Sequence, residues 1–239
     1  NKFTDKLCYD TNYKGTIKLA KIAKLSGVKK FIFLSSVKSA GKLSGINISE
    51  DCQGRLISQY SKSKRKAETD LLRLVDVKNF NVVIIRSSLV YGPNMKGNLK
   101  TLYTAIRKNL MPKPPRAINR RSMIHIDDLI ASLIFVSKND LSNNEIYNVT
   151  DNQIYDLNKI YSIFINYLKM KENKFMFPKF LYFLIGILGS IINKLFHFPF
   201  SLKQYESMFE DSHFSSNKIN KLGFLPKNNL ENIINSILD

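Results

Sequence analysis

The sequence predicts an α/β fold: a doubly wound parallel sheet with crossover helices, followed by a smaller C-terminal α/β region. Three observations carry this. Phe31-Ile32-Phe33-Leu34 and Val82-Val83-Ile84-Ile85 are short, continuous apolar runs, the pattern of strands buried on both faces. Helix-like segments stand between and around them at the spacing of strand–helix–strand crossovers. The first run ends in Ser35-Ser36 and the second leads into Val90-Tyr91-Gly92-Pro93. Polar residues therefore gather at the carboxyl ends of the strands, where such sheets bind ligands.

Residues 11–26 are expected to form a helix with Ile17, Leu19, Ala20, Ile22 and Ala23 on its inner side, stopped by Gly27. Residues 38–59 are polar and too irregular to assign. A helix over 58–75 turns Ala67, Leu71, Leu74 and Val75 inward. Leu89 to Pro93 is a strand end followed by a turn. Residues 99–108 read as a helix and the proline-rich 111–116 as a loop. Asp127-Asp128 opens a helix through Phe135, with carboxylates at its positive end. Ile146-Tyr147-Asn148-Val149 is a strand, and 157–168 and 229–238 are helices.

Apolar residues make up 44% of the chain and charged residues 23%, so a packed core is expected and global disorder is not. Asn1 to Asp10 lacks the apolar stretch of a signal peptide. Cys8 and Cys52 have neither metal nor redox spacing and read as two reduced thiols of a cytoplasmic protein. The net charge of +18 comes from lysines scattered along the whole chain rather than gathered in a patch. Nucleic acid is therefore not the expected partner; a basic surface that attracts an anionic small substrate is. Residues 180–192 carry no charge and lie between Lys179 and Lys194. They fall short of the roughly 20 apolar residues of a membrane span. A buried helix, or a helical pair around Gly186 and Gly189, is expected, with peripheral membrane contact as the alternative.

The sharpest chemical constellation is Ser36, Tyr60 and Lys64. Tyr60 and Lys64 are four apart on one helix face. A free phenol is a poor base at neutral pH, and a neighbouring ammonium stabilises its phenolate. Tyr60 can then take the proton of a hydroxyl while hydride leaves the same carbon, or return it to a carbonyl. Ser36 can hold the reacting oxygen in line. Tyr-x-x-x-Lys by itself is a common accident in a chain rich in both residues. Its weight comes from its place, opening a helix between the two buried strands.

Five blocks in order then resemble a known family: Asn12-x-x-Gly15-Thr16; Gly27-Val28-Lys29-Lys30-Phe31-Ile32-Phe33-Leu34-Ser35-Ser36; Tyr60-Ser61-Lys62-Ser63-Lys64; Val90-Tyr91-Gly92-Pro93; and Arg120-Arg121-Ser122-Met123-Ile124-His125-Ile126-Asp127-Asp128-Leu129. The chain resembles the extended short-chain dehydrogenase/reductase superfamily, in the branch of nucleotide-sugar epimerases and ketoreductases of bacterial surface-polysaccharide pathways. The resemblance implies a Rossmann-like domain that binds NAD, with NADP as the alternative, and no metal. Residues 1–95 would be its C-terminal part and 96–239 a sugar-nucleotide domain, with about 121–150 returning to the first. Tyr60 would be the acid/base. Lys64 would lower its pKa and hold the nicotinamide ribose. Ser36 would bind the reacting oxygen, with Asn12 close by. Ser87 and Leu89 would lie on the cofactor side. Asn98 and Leu99 would pack on the nucleotide diphosphate and base, and Arg121 would pair with the diphosphate. His125 reads as structural. A homodimer would form through the helices over 11–26 and 58–75.

The departures are as informative. The glycine-rich turn that cradles the cofactor pyrophosphate is not present in residues 1–239, so the chain is expected to be N-terminally truncated. Leu89 stands where many epimerases carry Asn. A second diphosphate-binding arginine, expected before Ser215, has only Lys203 in its neighbourhood. Val37-Lys38 replaces the Asp-Glu pair of sugar dehydratases, so elimination of water has neither acid nor base. The expected reaction is C4 epimerisation of a UDP-hexose or UDP-N-acetylhexosamine through a 4-keto intermediate. The alternatives are 4-ketoreduction of a UDP-4-keto-6-deoxy sugar, a steroid or dihydroflavonol-type reduction, and a decayed dehydrogenase fold serving as a binding protein.

Overall fold

The computed structural model describes residues 2–93, 95, 97–172, 175–193 and 200–238. Its central strand is β3 (Asn81–Ser87), whose Val82, Val83, Ile84 and Ile85 are fully buried. It runs parallel to β1 (Lys30–Ser36) on one side and β6 (Ile146–Val149) on the other, in the order β1-β3-β6. Side chains alternate across a strand. Val82 and Ile84 pack with Ala20, Phe33, Ala67 and Leu71, carried by α2 (Thr16–Leu25), β1 and α3 (Gln59–Arg73). Val83 and Ile85 pack on the opposite face with Ile124, Leu129 and Val136, the last two from α5 (Ile126–Lys138). Helices cover both faces, as the continuous apolar runs require.

The register sets the site. Ser36 lies beside Ser87, and Arg86 beside both Ser35 and Asn148. Two shorter parallel pairs extend from this end: β4 (Leu89–Tyr91) with β5 (Met123–His125), and β2 (Gly45–Ile48) with β7 (Ser212–Phe214). Gly92 follows β4 with φ +158°, and a Cβ there would sit 2.5 Å from Ile126 Cγ2, which accounts for glycine in Tyr91-Gly92-Pro93.

The N-terminal helix departs from expectation. It begins at α1 (Lys2–Tyr9), passes through a π-helical turn at Asp10–Gly15 and continues as α2. Ala20 is buried, and Ile17 and Ala23 pack beside it, but Leu19 and Ile22 are exposed. Five apolar residues over 17–23 span more arc than one helix can press on a sheet, and the stripe of period 3.6 wins. The stretch 38–59 holds a 3-10 turn at Val37–Ala40 and the strand β2. Neither had a periodic signal.

A second core lies under α4 (Asn98–Arg107), α6 (Leu157–Tyr167) and α10 (Leu230–Leu238), around Ile106, Ile160, Phe164 and Leu230. Beside it, α7 (Lys179–Ile192) packs against α8 (Leu202–Met208), and α9 (Asn217–Lys221) follows β7. The buried-helix expectation for 180–192 is corrected here. The segment is one helix that buries Tyr182, Gly186 and Gly189 and exposes Phe180, Phe183, Leu184, Leu188, Ile191 and Ile192. Absence of charge signals apolar surroundings only when both helix faces are covered, and one is not. No helix among the described residues is long and apolar enough to cross a membrane.

Leu71 on α3 is fully buried under the sheet. Leu71→Ala is expected to cost about 2–5 kcal/mol of unfolding free energy, read from urea denaturation.

Candidate active site

Ser58 starts α3 by capping it. Its hydroxyl accepts from Ser61 N at 3.1 Å, and Ser61 Oγ accepts from Ser58 N at 3.2 Å. This reciprocal cap fixes the first turn and so the direction of Tyr60 from the next position. Tyr60 is 38% exposed, and Ser36, at the end of β1, lies close enough to its phenol to lower the phenol pKa. Ser36 also accepts from Lys38 N at 3.3 Å, which turns the chain into the 3-10 segment.

Lys64, one turn after Tyr60, donates to Leu34 O at 2.9 Å and lies 4.6 Å from the centroid of the Phe33 ring. Burial lowers its pKa, against the opposing influence of Glu68 and Cys8. The Tyr60 phenol is raised, chiefly by burial; Ser36 lowers it and Cys8 raises it. The expected lowering by Lys64 is thus not what this arrangement delivers, because the ammonium is turned to Leu34 and the phenol keeps its proton.

Asn12 sits in the π-helical turn. Its Nδ2 donates to Cys8 Sγ at 3.1 Å, and Cys8 Sγ lies 3.8 Å from Ser63 Oγ, a hydrogen bond between the helix carrying Asn12 and the Tyr60 helix. Such turns place an extra residue in the helix and recur at functional sites.

Below the strand ends lies a buried brace. Arg86 Nη2 pairs with Glu68 Oε2 at 2.8 Å, and both side chains are almost wholly buried. Glu68 Oε1 also accepts from Ser35 Oγ and Ser39 Oγ, each at 2.5 Å, and Arg86 Nη1 donates to Glu50 O at 3.0 Å. The pair therefore ties α3, β1, β3 and the 3-10 turn around Ser36. Ser87 Oγ donates to Ser35 O at 3.2 Å, so this hydroxyl is engaged with the neighbouring strand end.

Asn98, Leu99 and Arg121 meet in a cavity of about 910 Å³, together with Gln204 and Ser207 of α8; Leu89, expected on the cofactor side, lines this same cavity instead. The backbone at Arg121 is pinned by Tyr155: Arg121 N donates to Tyr155 O at 2.7 Å, and Tyr155 N to Arg121 O at 3.2 Å. Nη2 of Arg121 donates to Met208 O at 2.6 Å, while its buried Nε has no partner. Burial lowers its pKa. A buried guanidinium N–H with nothing to donate to is a costly arrangement that an anionic ligand would relieve. Asn98 Nδ2 donates to Ser207 Oγ at 2.8 Å. Lys203 does not line the cavity; its neighbour Gln204 does.

His125 is buried, and its Nδ1 caps α5 by accepting from Asp127 N at 3.3 Å. Sequence reasoning passed over Cys8, Glu68, Gln204 and Ser207. Only Glu68 left a trace, one helical turn beyond Lys64 and two beyond Tyr60.

Residues 2–150 match the NAD dependent epimerase/dehydratase family. A UDP-glucose 4-epimerase of Vibrio cholerae is 35% identical over 146 residues, 59% of this chain and 44% of the relative. This chain therefore aligns with less than half of that protein's length. The N-acetyl-alpha-D-glucosaminyl-diphospho-ditrans,octacis-undecaprenol 4-epimerase of Escherichia coli O157:H7 is 25% identical over 223 residues, 92% of this chain and 67% of the relative. Among solved structures, the UDP-glucose 4-epimerase of Thermotoga maritima with UDP-glucose superposes with a TM-score of 0.70 at 18% identity, over 93% of this chain and 66% of that one. The Bordetella bronchiseptica enzyme WbmG, in complex with NAD and UDP, superposes with a TM-score of 0.69 at 17% identity, over 96% and 65%. These structures share the Rossmann-like α/β fold. With a family match over residues 2–150 that contains Ser36, Tyr60 and Lys64, the chain belongs to the NAD dependent epimerase/dehydratase family.

Proposed function

We propose that the chain carries the catalytic groups and the substrate lobe of a nucleotide-sugar 4-epimerase. The observation that carries this reading is Ser36 at the carboxyl end of β1 close to the Tyr60 phenol, whose pKa it lowers, with Lys64 one turn further on. Tyr60 removes the proton of the sugar C4 hydroxyl and later returns it to the ketone oxygen. Ser36 holds that oxygen. Lys64 spends one of its three N–H donors on Leu34 O and has two left for a ribose diol, which fits a nicotinamide cofactor. NAD, when bound, would supply the hydride acceptor and donor for C4. Arg121 and Asn98 hold the diphosphate, and Leu89 and Leu99 flank it. In this reading 1–95 and about 121–150 serve the cofactor side and the remainder the sugar side. A homodimer through α2 and α3 is part of the same proposal.

The test is incubation with UDP-glucose and with UDP-N-acetylglucosamine in the presence of NAD, with products resolved by NMR. A C4 epimer formed without added reductant supports the epimerase. Turnover only with NADPH and a 4-keto sugar identifies a ketoreductase instead.

A second reading concerns the substrate. The inner wall of the cavity is made largely of apolar groups, among them Leu102, Met111, Ile160 and Tyr182, and the E. coli relative acts on a sugar diphosphate carried by undecaprenol. A lipid-linked sugar diphosphate suits that wall, and its epimerisation in detergent, compared with the UDP-sugar, decides between the two.

Arg121→Met is expected to raise KM for either diphosphate about 10- to 100-fold, since a hydrogen-bonded charge pair is worth roughly 1.5–3 kcal/mol, with a smaller change in kcat. Steady-state kinetics checks it. Because Tyr60 is raised by burial, its phenolate fraction grows with pH throughout the neutral range. The oxidative half-reaction is therefore expected to quicken toward alkaline pH, and Tyr60→Phe to abolish that limb of the profile.

A further inference from the structure

The helix α7 has two unlike faces. Its packed face carries Tyr182, Gly186, Gly189 and Ser190. A Cβ at Gly186 would meet Leu202 Cα and Tyr205 Cβ at 3.3 Å, so glycine there lets α8 approach closely. Ser190 Oγ donates to Gly186 O at 2.7 Å and accepts from Leu202 N at 2.9 Å, fixing the start of α8 against α7. The other face carries Phe180 (61% exposed), Leu184 (46%), Leu188 (59%) and Ile191 (57%), spaced as one helical stripe, with Phe183 and Ile192 beside it. Large side chains in a contiguous exposed stripe mark an interaction surface.

We infer that this stripe docks on an anionic lipid bilayer, with α7 lying in the plane of the interface. Charge argues for that occupant. Between residues 169 and 203 the sequence has lysines at 169, 171, 174, 179, 194 and 203 and one acid, Glu172. Lys179 at the start of α7 and Lys203 on α8 are both exposed. Lysine stems lie along apolar surface while their ammonium groups reach the headgroups. A second copy of this chain would bring Lys179 and Lys203 against their own counterparts at a net charge of +18, which opposes pairing through this face. Length argues for lying rather than spanning: 14 residues make about 21 Å of helix, against a hydrocarbon core of about 30 Å. Tyr182 and Ile185 of the same helix line the Arg121 cavity, so docking brings that cavity within about one helix diameter of the headgroups. The inference needs the geometry of α7 and not the epimerase reading; turnover of a soluble UDP-sugar is measured separately.

The experiment is flotation of the purified protein with vesicles of equal parts phosphatidylglycerol and phosphatidylcholine, and with phosphatidylcholine alone. The protein is expected to float with the anionic vesicles and far less with the neutral ones. Leu184→Ser with Leu188→Ser is expected to lower the partition coefficient about tenfold or more, because each leucine loses its apolar burial, while circular dichroism and Tm stay unchanged. The chain contains no tryptophan, so a single Leu188→Trp substitution reports cleanly. Its emission is expected to shift to the blue on adding anionic vesicles and to be quenched by brominated lipid, whereas a Leu25→Trp variant on α2 does neither. Failure of the wild type to float, equal flotation of the double serine variant, or a Leu188→Trp emission already blue-shifted without lipid in a concentration-dependent dimer each overturns the inference.

Discussion

Tyr60→Phe is expected to lower kcat about 10²- to 10⁴-fold, the contribution of a positioned acid/base. The change removes one oxygen and leaves the ring. Tyr60 is partly exposed at the first turn of α3, and its hydroxyl is near Ser36 at the strand end rather than tied into the core, so the fold is expected to survive. If the Arg121 cavity holds the diphosphate, as proposed, KM should move far less than kcat. Ser36→Ala is expected to act in the same direction with a smaller loss, because the phenol remains but loses its polar neighbour. If Tyr60→Phe keeps full activity, the catalytic assignment is wrong; if it loses activity together with Tm, the phenol has a structural role instead. The wild-type Tyr60 titration, followed by ultraviolet difference spectroscopy, is expected above the ordinary tyrosine value in the protein alone. It should move down when a cationic nicotinamide binds, by the ordinary attraction of phenolate for positive charge.

Arg86→Met is expected to cost about 3–5 kcal/mol of unfolding free energy. The reason is the uncompensated charge left behind. Glu68 is buried, and without Arg86 its carboxylate keeps only the hydroxyls of Ser35 and Ser39. Arg86 also reaches Glu50 O, and Glu50 Oε1 accepts from Asn148 N at 2.7 Å, so the substitution loosens three strands at their carboxyl ends at once. Urea denaturation measures the loss, and a companion Arg86→Met/Glu68→Leu variant should recover part of it, because removing both charges removes the unpaired one. Since the brace surrounds Ser36, the single variant should also lower kcat; a normal kcat in the folded fraction would separate the brace from the site.

Most of the sheet could be read from the sequence because its strands are buried on both faces. Val82 to Ile85 has no polar interruption, and no competing pattern fits a run that short. Ser36, Tyr60 and Lys64 stood out for a related reason: each occupies a defined position relative to a strand end or helix start. The resemblance added Asn98, Leu99 and Arg121, which share a cavity in the structure although they are far apart in periodicity terms. What escaped was decided by distant partners. The strand β2 exists because β7 pairs with it, and nothing within residues 45–48 announces that. The π-helical turn at Asn12 preserves a helical pattern while changing its phase. Beyond Lys179 neither face of α7 carries a charge, so an apolar run could not show that one of them would stay uncovered. The direction of the Lys64 ammonium depends on a carbonyl of β1, which no spacing of side chains reveals.

The pairing of β2 with β7 has a consequence for synthesis. Gly45 leaves the ribosome well before Ser212, to which it pairs. The same late strand carries Phe214, whose backbone exchanges two hydrogen bonds with the Ser122 hydroxyl next to Arg121. Contacts of such wide separation form slowly, after local helices have closed. During translation the edge at 45–48 therefore waits unpaired, and the segment holding Arg121 lacks one side of its support. The nascent chain can build its Tyr60 helix and central strands well before Arg121 is held in place, and a stalled or prematurely terminated copy would expose that edge to other chains.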